Sequence, residues 1–268
     1  MNNVVQLTEE EMLLCARASW EAEKAHREIK MLTLTYPQLD RPTGYQVQNI
    51  RTGLVEQEGH RVVGYKLGST GLKKRQQMGT ATSSYGRLFD YMRVEPGQPV
   101  KLDELIHPKV EPEITFVLKD DLTGPNVTAA QVMRATGYVT ASLEIIDSRY
   151  ENFKFAGGDV VSDNISGGKF LLSEKRYDPF ASDLSLIGLE VTLNGKVCGQ
   201  GAVCEIMGHP ARAVAEFANV FWKNTGGQGL KAGQFIMTGG ITQAFSLSRG
   251  DHVKARFGRL GPVEFDVV

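Results

Sequence analysis

The run His107-Pro108-Lys109-Val110-Glu111-Pro112-Glu113-Ile114 carries two carboxylates two positions apart. On an extended strand alternate residues share a face, so Glu111 and Glu113 stand side by side. Two buried carboxylates that close repel each other. Either one takes a proton or a hard divalent cation draws oxygen ligands from both. A solvated polar face on an edge strand gives the same pattern, and Pro112 suits an edge or a bulge, where its missing N–H breaks no ladder bond. A third acid, Glu144, lies in the largely apolar run 141–146. A carboxylate there needs a partner, either a metal or a base such as Arg149. Three glutamates make an all-oxygen donor set, which suits Mg²⁺ or Mn²⁺ and not zinc.

Three further groups have chemical potential. Lys66, in Gly64-Tyr65-Lys66-Leu67-Gly68, is either a desolvated cation that binds an anion or moves a proton, or a lysine that snorkels to the surface. The turn Asp163-Asn164-Ile165-Ser166-Gly167-Gly168 offers polar side chains that ordinary turn chemistry also explains. Met237-Thr238-Gly239-Gly240-Ile241-Thr242 presents N–H groups and a Thr238 hydroxyl that could clasp a carboxylate, or simply ends a strand. No dinucleotide or P-loop fingerprint and no nucleophile elbow is present. His26, His60, His107, His209 and His252 lack metal-site spacing, so each is read as structural.

The elements that must position these groups follow from periodicity. Thr8 with Glu11 forms a capping box ahead of a helix, and Thr43 with Gln46 marks a second one that runs toward Gly59. From Arg61 onward strands dominate, over 62–68, 110–118, 138–146, 169–172 and 186–193. Asn194-Gly195 is a type I′ hairpin signal with a return strand over 196–203. His209-Pro210 opens a helix faced by Val214, Phe217, Ala218 and Phe221, and strands at 235–238, 253–257 and 263–267 close the chain. Few helices among many strands predict an α+β chain with a mixed or antiparallel sheet, not a doubly wound one.

Composition bounds the function. The 268 residues hold 30 basic and 31 acidic side chains, and the longest basic run is Lys73-Lys74-Arg75, so nucleic acid is not an expected partner. There is no apolar run of membrane length and no N-terminal leader pattern, and Cys15, Cys198 and Cys204 suggest core thiols, not disulfides. A soluble cytoplasmic protein is expected.

Taken in order, several segments resemble the 4-oxalocrotonate decarboxylase and 2-hydroxypentadienoate hydratase family of the fumarylacetoacetate hydrolase-like superfamily. They are GYKLGST (64–70), YGRLFDY (85–91), IHPKVEPEI (106–114), EIIDSRYENFKF (144–155), SDNIS (162–166), GHP (208–210) and FIMTGGIT (235–242). IHPKVEPEI, DSRYENFKF (147–155) and FIMTGGIT look like the decarboxylase branch. The resemblance implies a mixed β-roll catalytic domain over 81–268 behind a small helical region over 1–80. It implies Mg²⁺ or Mn²⁺ held by Glu111, Glu113 and Glu144, with no organic cofactor. The expected substrate is a small 2-oxo dicarboxylate, decarboxylated with Lys66 beside the chelated end and oriented by Asp163, Asn164, Ser166 and Thr238. For its distal carboxylate an apolar pocket end is expected, with Arg149 and Lys154 the nearest cations. A homo-oligomer, and a complex with the hydratase acting next in the meta-cleavage breakdown of catechols, are also implied. A hydratase of the same family and a non-catalytic partner-binding subunit stand as alternatives.

Overall fold

The protein is described from a computed structural model over residues 6–71, 75–76 and 80–268. The first five residues, and Lys73 and Lys74 of the basic run, lie outside this range. Helix α1 (Glu9–Lys24) begins at the expected capping box: the Thr8 N–H donates to Glu11 Oε2 at 2.8 Å and the Glu11 N–H donates to Thr8 Oγ1 at 3.2 Å. Helix α2 (Arg41–Gln57) starts earlier than Thr43 predicted. Asp40 is its cap, accepting the Thr43 N–H at 2.8 Å, and Pro42 falls in the first turn, where no intrahelical bond is lost. The two helices bury Cys15, Ala16, Leu39 and Val47 together with Tyr150. Cys15 is buried, whereas Cys198 is half-buried and Cys204 exposed, so only the first is a core thiol.

The strands form two sheets. The larger sheet contains β1 (Val62–Gly68), β2 (Ser84–Phe89), β3 (Arg93–Val94), β4 (Lys109–Leu118), β5 (Thr136–Ile146) and β6 (Gly167–Leu172). The smaller antiparallel sheet contains β7 (Gly188–Leu193) and β8 (Lys196–Ala202), joined by Asn194-Gly195 with φ of 53° and 76°, as a type I′ turn requires. From the C-terminal part, β9 (Phe235–Met237) and β10 (Phe245–Ser246) return to the larger sheet, while β11 (His252–Phe257) and β12 (Gly261–Asp266) join the smaller one. The larger sheet runs β2-β1-β9-β4-β5-β6-β3, with β10 against β4. Its β1–β9 and β3–β6 pairs are parallel and the rest antiparallel, the mixed sheet of an α+β fold.

Strand β4 is therefore interior, so of the edge or bulge that Pro112 suits, the edge is excluded. The proline is accommodated in a gap of the ladder. Val110 pairs with β10 and residues 115–117 pair with β9, leaving Pro112 between the two stretches. Its carbonyl accepts the Ile241 N–H at 3.1 Å on that flank, so its absent N–H also points where no ladder bond falls.

Helices α3 (Ala129–Ala135), α4 (Gly157–Ser162) and α5 (Pro210–Asn224) complete the layers. His209 caps α5, its Nδ1 accepting the Ala211 N–H at 3.2 Å, and Phe217 and Phe221 pack on Tyr65 and Tyr85. Val110, Ile114 and Phe116 of β4 enter the core between the sheets with Val191, Val253 and Phe257. That fixes the alternate residues Lys109, Glu111, Glu113 and Thr115 on the opposite face.

Close approach at Gly64 keeps β1 against β9, since a Cβ there would meet the Phe235 carbonyl oxygen at 2.1 Å. Gly64→Ala should lower stability by about 1–3 kcal/mol in urea denaturation. An unchanged midpoint would show that β1 is not held at that distance.

Candidate metal centre

The register of β4 on β5 sets the centre. Glu111 lies directly across from Glu144, and Glu113 across from Ser142. Cross-strand partners share a face, so all three acids project together. One oxygen from each lies within 4.8 Å of the others, and among the described residues no histidine or cysteine joins the group. With Mg–O bonds near 2.1 Å, ligands of one ion sit roughly 3–4 Å apart. A common ion would draw the three oxygens closer together than they stand here.

Burial makes the arrangement demanding. Glu113 is 0% and Glu144 1% exposed. The Gly239 N–H donates to Glu113 Oε2 at 2.7 Å, but Glu113 Oε1 and Glu144 Oε2 have no hydrogen-bond partner among the described residues. Lys66 Nζ stands 2.5 Å from Glu144 Oε1, a contact of charge and distance whose direction is not that of a hydrogen bond, and it donates to the Ile165 carbonyl at 2.7 Å. One ammonium thus faces two fully buried carboxylates. Burial, then the Glu144 and Glu111 charges, hold the Glu113 carboxyl well above its usual range. Burial raises Glu144 as well, opposed by Lys66. An all-oxygen set with orphaned buried oxygens is what a hard divalent cation satisfies.

The supports come from two loops. After β9, the Gly239-Gly240 pair clasps carboxylates that belong to the protein itself. A Cβ on Gly240 would stand 2.7 Å from the Glu111 carboxyl carbon, so only glycine leaves that carboxylate its place. Thr238 turns inward, its hydroxyl donating to the Ile114 carbonyl at 2.9 Å. After α4, Asn164, Ile165 and Ser166 are successively left-handed, with φ of 51°, 52° and 53°, and this aims the Ile165 carbonyl at Lys66. The Asn164 amide is engaged with the Arg87 backbone in both directions, at 2.6 and 2.9 Å. Ser166 Oγ is buried without a partner among the described residues.

Arg149 is not the counter-ion of Glu144. It is buried against Asp163, with Nε 2.5 Å from Oδ1, and donates to the Asp163 and Gly167 carbonyls at 2.6 and 2.7 Å. Burial pushes the Asp163 carboxyl up to about 6 against the pull of Arg149. Both groups are thereby committed to each other, and Lys154 is exposed. The sequence reading also missed the Thr115 hydroxyl, which donates to Ser142 Oγ at 2.7 Å while Ser142 donates to the Glu113 carbonyl at 3.0 Å. Their spacing from Glu113 and Glu144 on the same strands was the available signal.

These shifts have a measurable sign. In metal-free protein Glu113 stays protonated above 4.5, where the unfolded chain has lost that proton, so its contribution to stability is lost as pH rises through the folded value. Glu113→Gln should therefore exceed metal-free wild type in Tm by a margin that grows from about pH 5 to about pH 8. Added Mg²⁺ should raise the wild-type Tm and leave the variant nearly unmoved. A margin that shrinks with pH would contradict the buried-charge account.

Comparison with known proteins agrees with the geometry. The family model described as fumarylacetoacetate (FAA) hydrolase C-terminal matches residues 92–268. A 4-oxalocrotonate decarboxylase of Pseudomonas sp. (strain CF600) is 40% identical over 251 residues, covering 94% of each chain. A 2-hydroxyhexa-2,4-dienoate hydratase of Comamonas testosteroni is 35% identical, covering 87% of this chain and 88% of its own. The solved 4-oxalocrotonate decarboxylase from Pseudomonas putida G7, complexed with magnesium and adipate, has a TM-score of 0.95 at 38% identity and covers 98% of this chain and 99% of its own. This chain belongs to the fumarylacetoacetate hydrolase C-terminal family, in the group that includes the 4-oxalocrotonate decarboxylases and their related hydratases.

Proposed function

We infer that the chain is a carboxy-lyase. It converts 4-oxalocrotonate (2-oxohex-3-enedioate) to 2-hydroxypenta-2,4-dienoate and CO₂, with Mg²⁺ or Mn²⁺ and no organic cofactor. One observation carries this reading. Three carboxylates, with one oxygen of each within 4.8 Å of the others, stand beside Lys66 in a chain 38% and 40% identical to 4-oxalocrotonate decarboxylases over more than nine-tenths of its length.

Glu111, Glu113 and Glu144 would hold the cation. Bound there, it would act as an electrophile toward the 2-oxo acid end of the substrate. As the C5–C6 bond breaks, its electron pair moves through C3=C4 to the C2 oxygen, and CO₂ leaves. We assign Lys66 to that oxygen, where its ammonium hydrogen-bonds the growing charge and supplies the proton that completes the enol. The Ile165 carbonyl and Glu144 keep Lys66 aimed inward, and its 2% exposure keeps water from competing. Ser166, with its unengaged hydroxyl, is assigned to substrate orientation. We place Asp163, Asn164 and Thr238 behind it, since their polar groups are occupied within the protein.

The family resemblance supports a homo-oligomer working beside the hydratase that consumes the product. Three free cysteines, one of them exposed, fit a reducing cytoplasm. Among the described residues no helix is long and apolar enough to cross a membrane.

Supplied with Mg²⁺, the protein should release CO₂ from 2-oxohex-3-enedioate and add no water to 2-hydroxypentadienoate. Hydration of the second without CO₂ from the first would make it a hydratase. Lys66→Met should cut kcat by a factor corresponding to about 2–4 kcal/mol while Mg²⁺ affinity changes much less. An unchanged kcat would remove Lys66 from the chemistry.

A further inference from the structure

The glutamate face continues past Glu111. Two residues back along β4 stands Lys109, on the same face and about 7 Å further along the strand. Lys109 pairs with Ile146 across the ladder just as Glu111 pairs with Glu144. Burial falls along this line, from Glu113, fully buried, to half-buried Glu111, Lys109 and Ile146. The face thus opens at its Lys109 end.

The Lys109 ammonium lies 4.2 Å from the centroid of the Phe153 ring, and among the described residues it has no ion-pair partner. An aromatic face holds a cation without cancelling its charge, as a carboxylate would. Phe153 is set in place by an unusual backbone: it and Asn152 are both left-handed, with φ of 58° and 57°. Such conformations cost of order 1 kcal/mol and persist where the surroundings impose them. The His107 ring packs 5.1 Å from Phe153, and its Nε2 is buried without a hydrogen-bond partner.

We propose that Lys109, seated on Phe153 beside Ile146, reads the distal carboxylate of a 2-oxo dicarboxylate and so selects dicarboxylates over monocarboxylates. The proposal rests on the reading of the glutamates as the site that takes the 2-oxo acid end. A six-carbon dicarboxylate spans roughly 6 Å between its terminal carbons, similar to the step from Glu111 to Lys109. A single ammonium on a flexible stem makes a contact the carboxylate can leave, unlike a bidentate guanidinium clamp. The apolar surfaces of Ile146 and Phe153 favour neutral CO₂ over the charged group it comes from.

Calorimetry in Mg²⁺ with 2-oxoadipate and 2-oxohexanoate tests this, since both lack the double bond that relays the electron pair. Wild type should bind 2-oxoadipate at least about tenfold more tightly. Lys109→Met should lose that preference while holding 2-oxohexanoate as wild type does, Lys109→Gln should behave alike, and Lys109→Arg should restore the preference. Equal wild-type affinities, or a preference that survives both neutral variants, overturn the proposal. If wild type releases no CO₂ from 2-oxohex-3-enedioate yet keeps a preference that Lys109→Met abolishes, the reaction is misassigned and the subsite stands.

Discussion

Two carboxylates with almost no solvent contact, Glu113 and Glu144, sit on the inner face of neighbouring central strands with one ammonium between them and water. A buried ion left partly unpaired costs several kcal/mol. Most features around the site bear on that cost. The β4–β5 register aligns the acids, the Gly239 N–H takes one oxygen, and Lys66 opposes one charge. What remains unmet is two acceptor oxygens, and this deficit distinguishes the cluster from a saturated salt-bridge network.

The N-terminal helices are linked to the loop that aims Lys66. Glu23 of α1 forms an ion pair with Arg51 of α2, accepts from the Tyr91 hydroxyl at 2.6 Å, and lies 3.6 Å from Arg149. Arg149 in turn holds Asp163 at the start of the left-handed run. Gln48 of α2 adds hydrogen bonds to the carbonyls of Tyr85 and Val161 at 3.1 and 3.0 Å. Close packing of α2 on α4 makes this possible, because a Cβ on Gly44 would meet the Gly158 carbonyl at 2.8 Å. The helices therefore act on the site through a buried polar chain.

What could be read from the sequence was local. Alternation placed Glu111 and Glu113 on one face, an acid in an apolar run singled out Glu144, and Asn194-Gly195 gave its hairpin. Arg149, named as one example of a base for Glu144, lies five residues along the chain, whereas the base that stands there is Lys66, 78 positions away. Helix α3 was overlooked although Thr128 and Gln131 form a capping box, since seven residues carry little periodicity. Helix α4, six residues opening on Gly157-Gly158, gave still less. Pro112, which suited an edge or a bulge, lies in an interior strand for a different reason. A proline is barred from an interior strand only where a ladder bond is due, and the gap between β9 and β10 depends on residues more than 120 positions away.

The strand order β1-β9-β4-β5 has a mechanical consequence. Lys66 and Glu144 are three strand steps apart, about 14 Å across a flat sheet, yet their charged atoms stand 2.5 Å apart. The pair is a chord across a curled surface, and its length depends on the radius of that curl. Residues on the convex side, such as Phe116 and Ile236, help set the radius through their volume. Enlarging or shrinking them would change the field at the carboxylates by bending the sheet, with no atom of the site replaced. Packing on the far face of the sheet is in this sense part of the electrostatics of the near one.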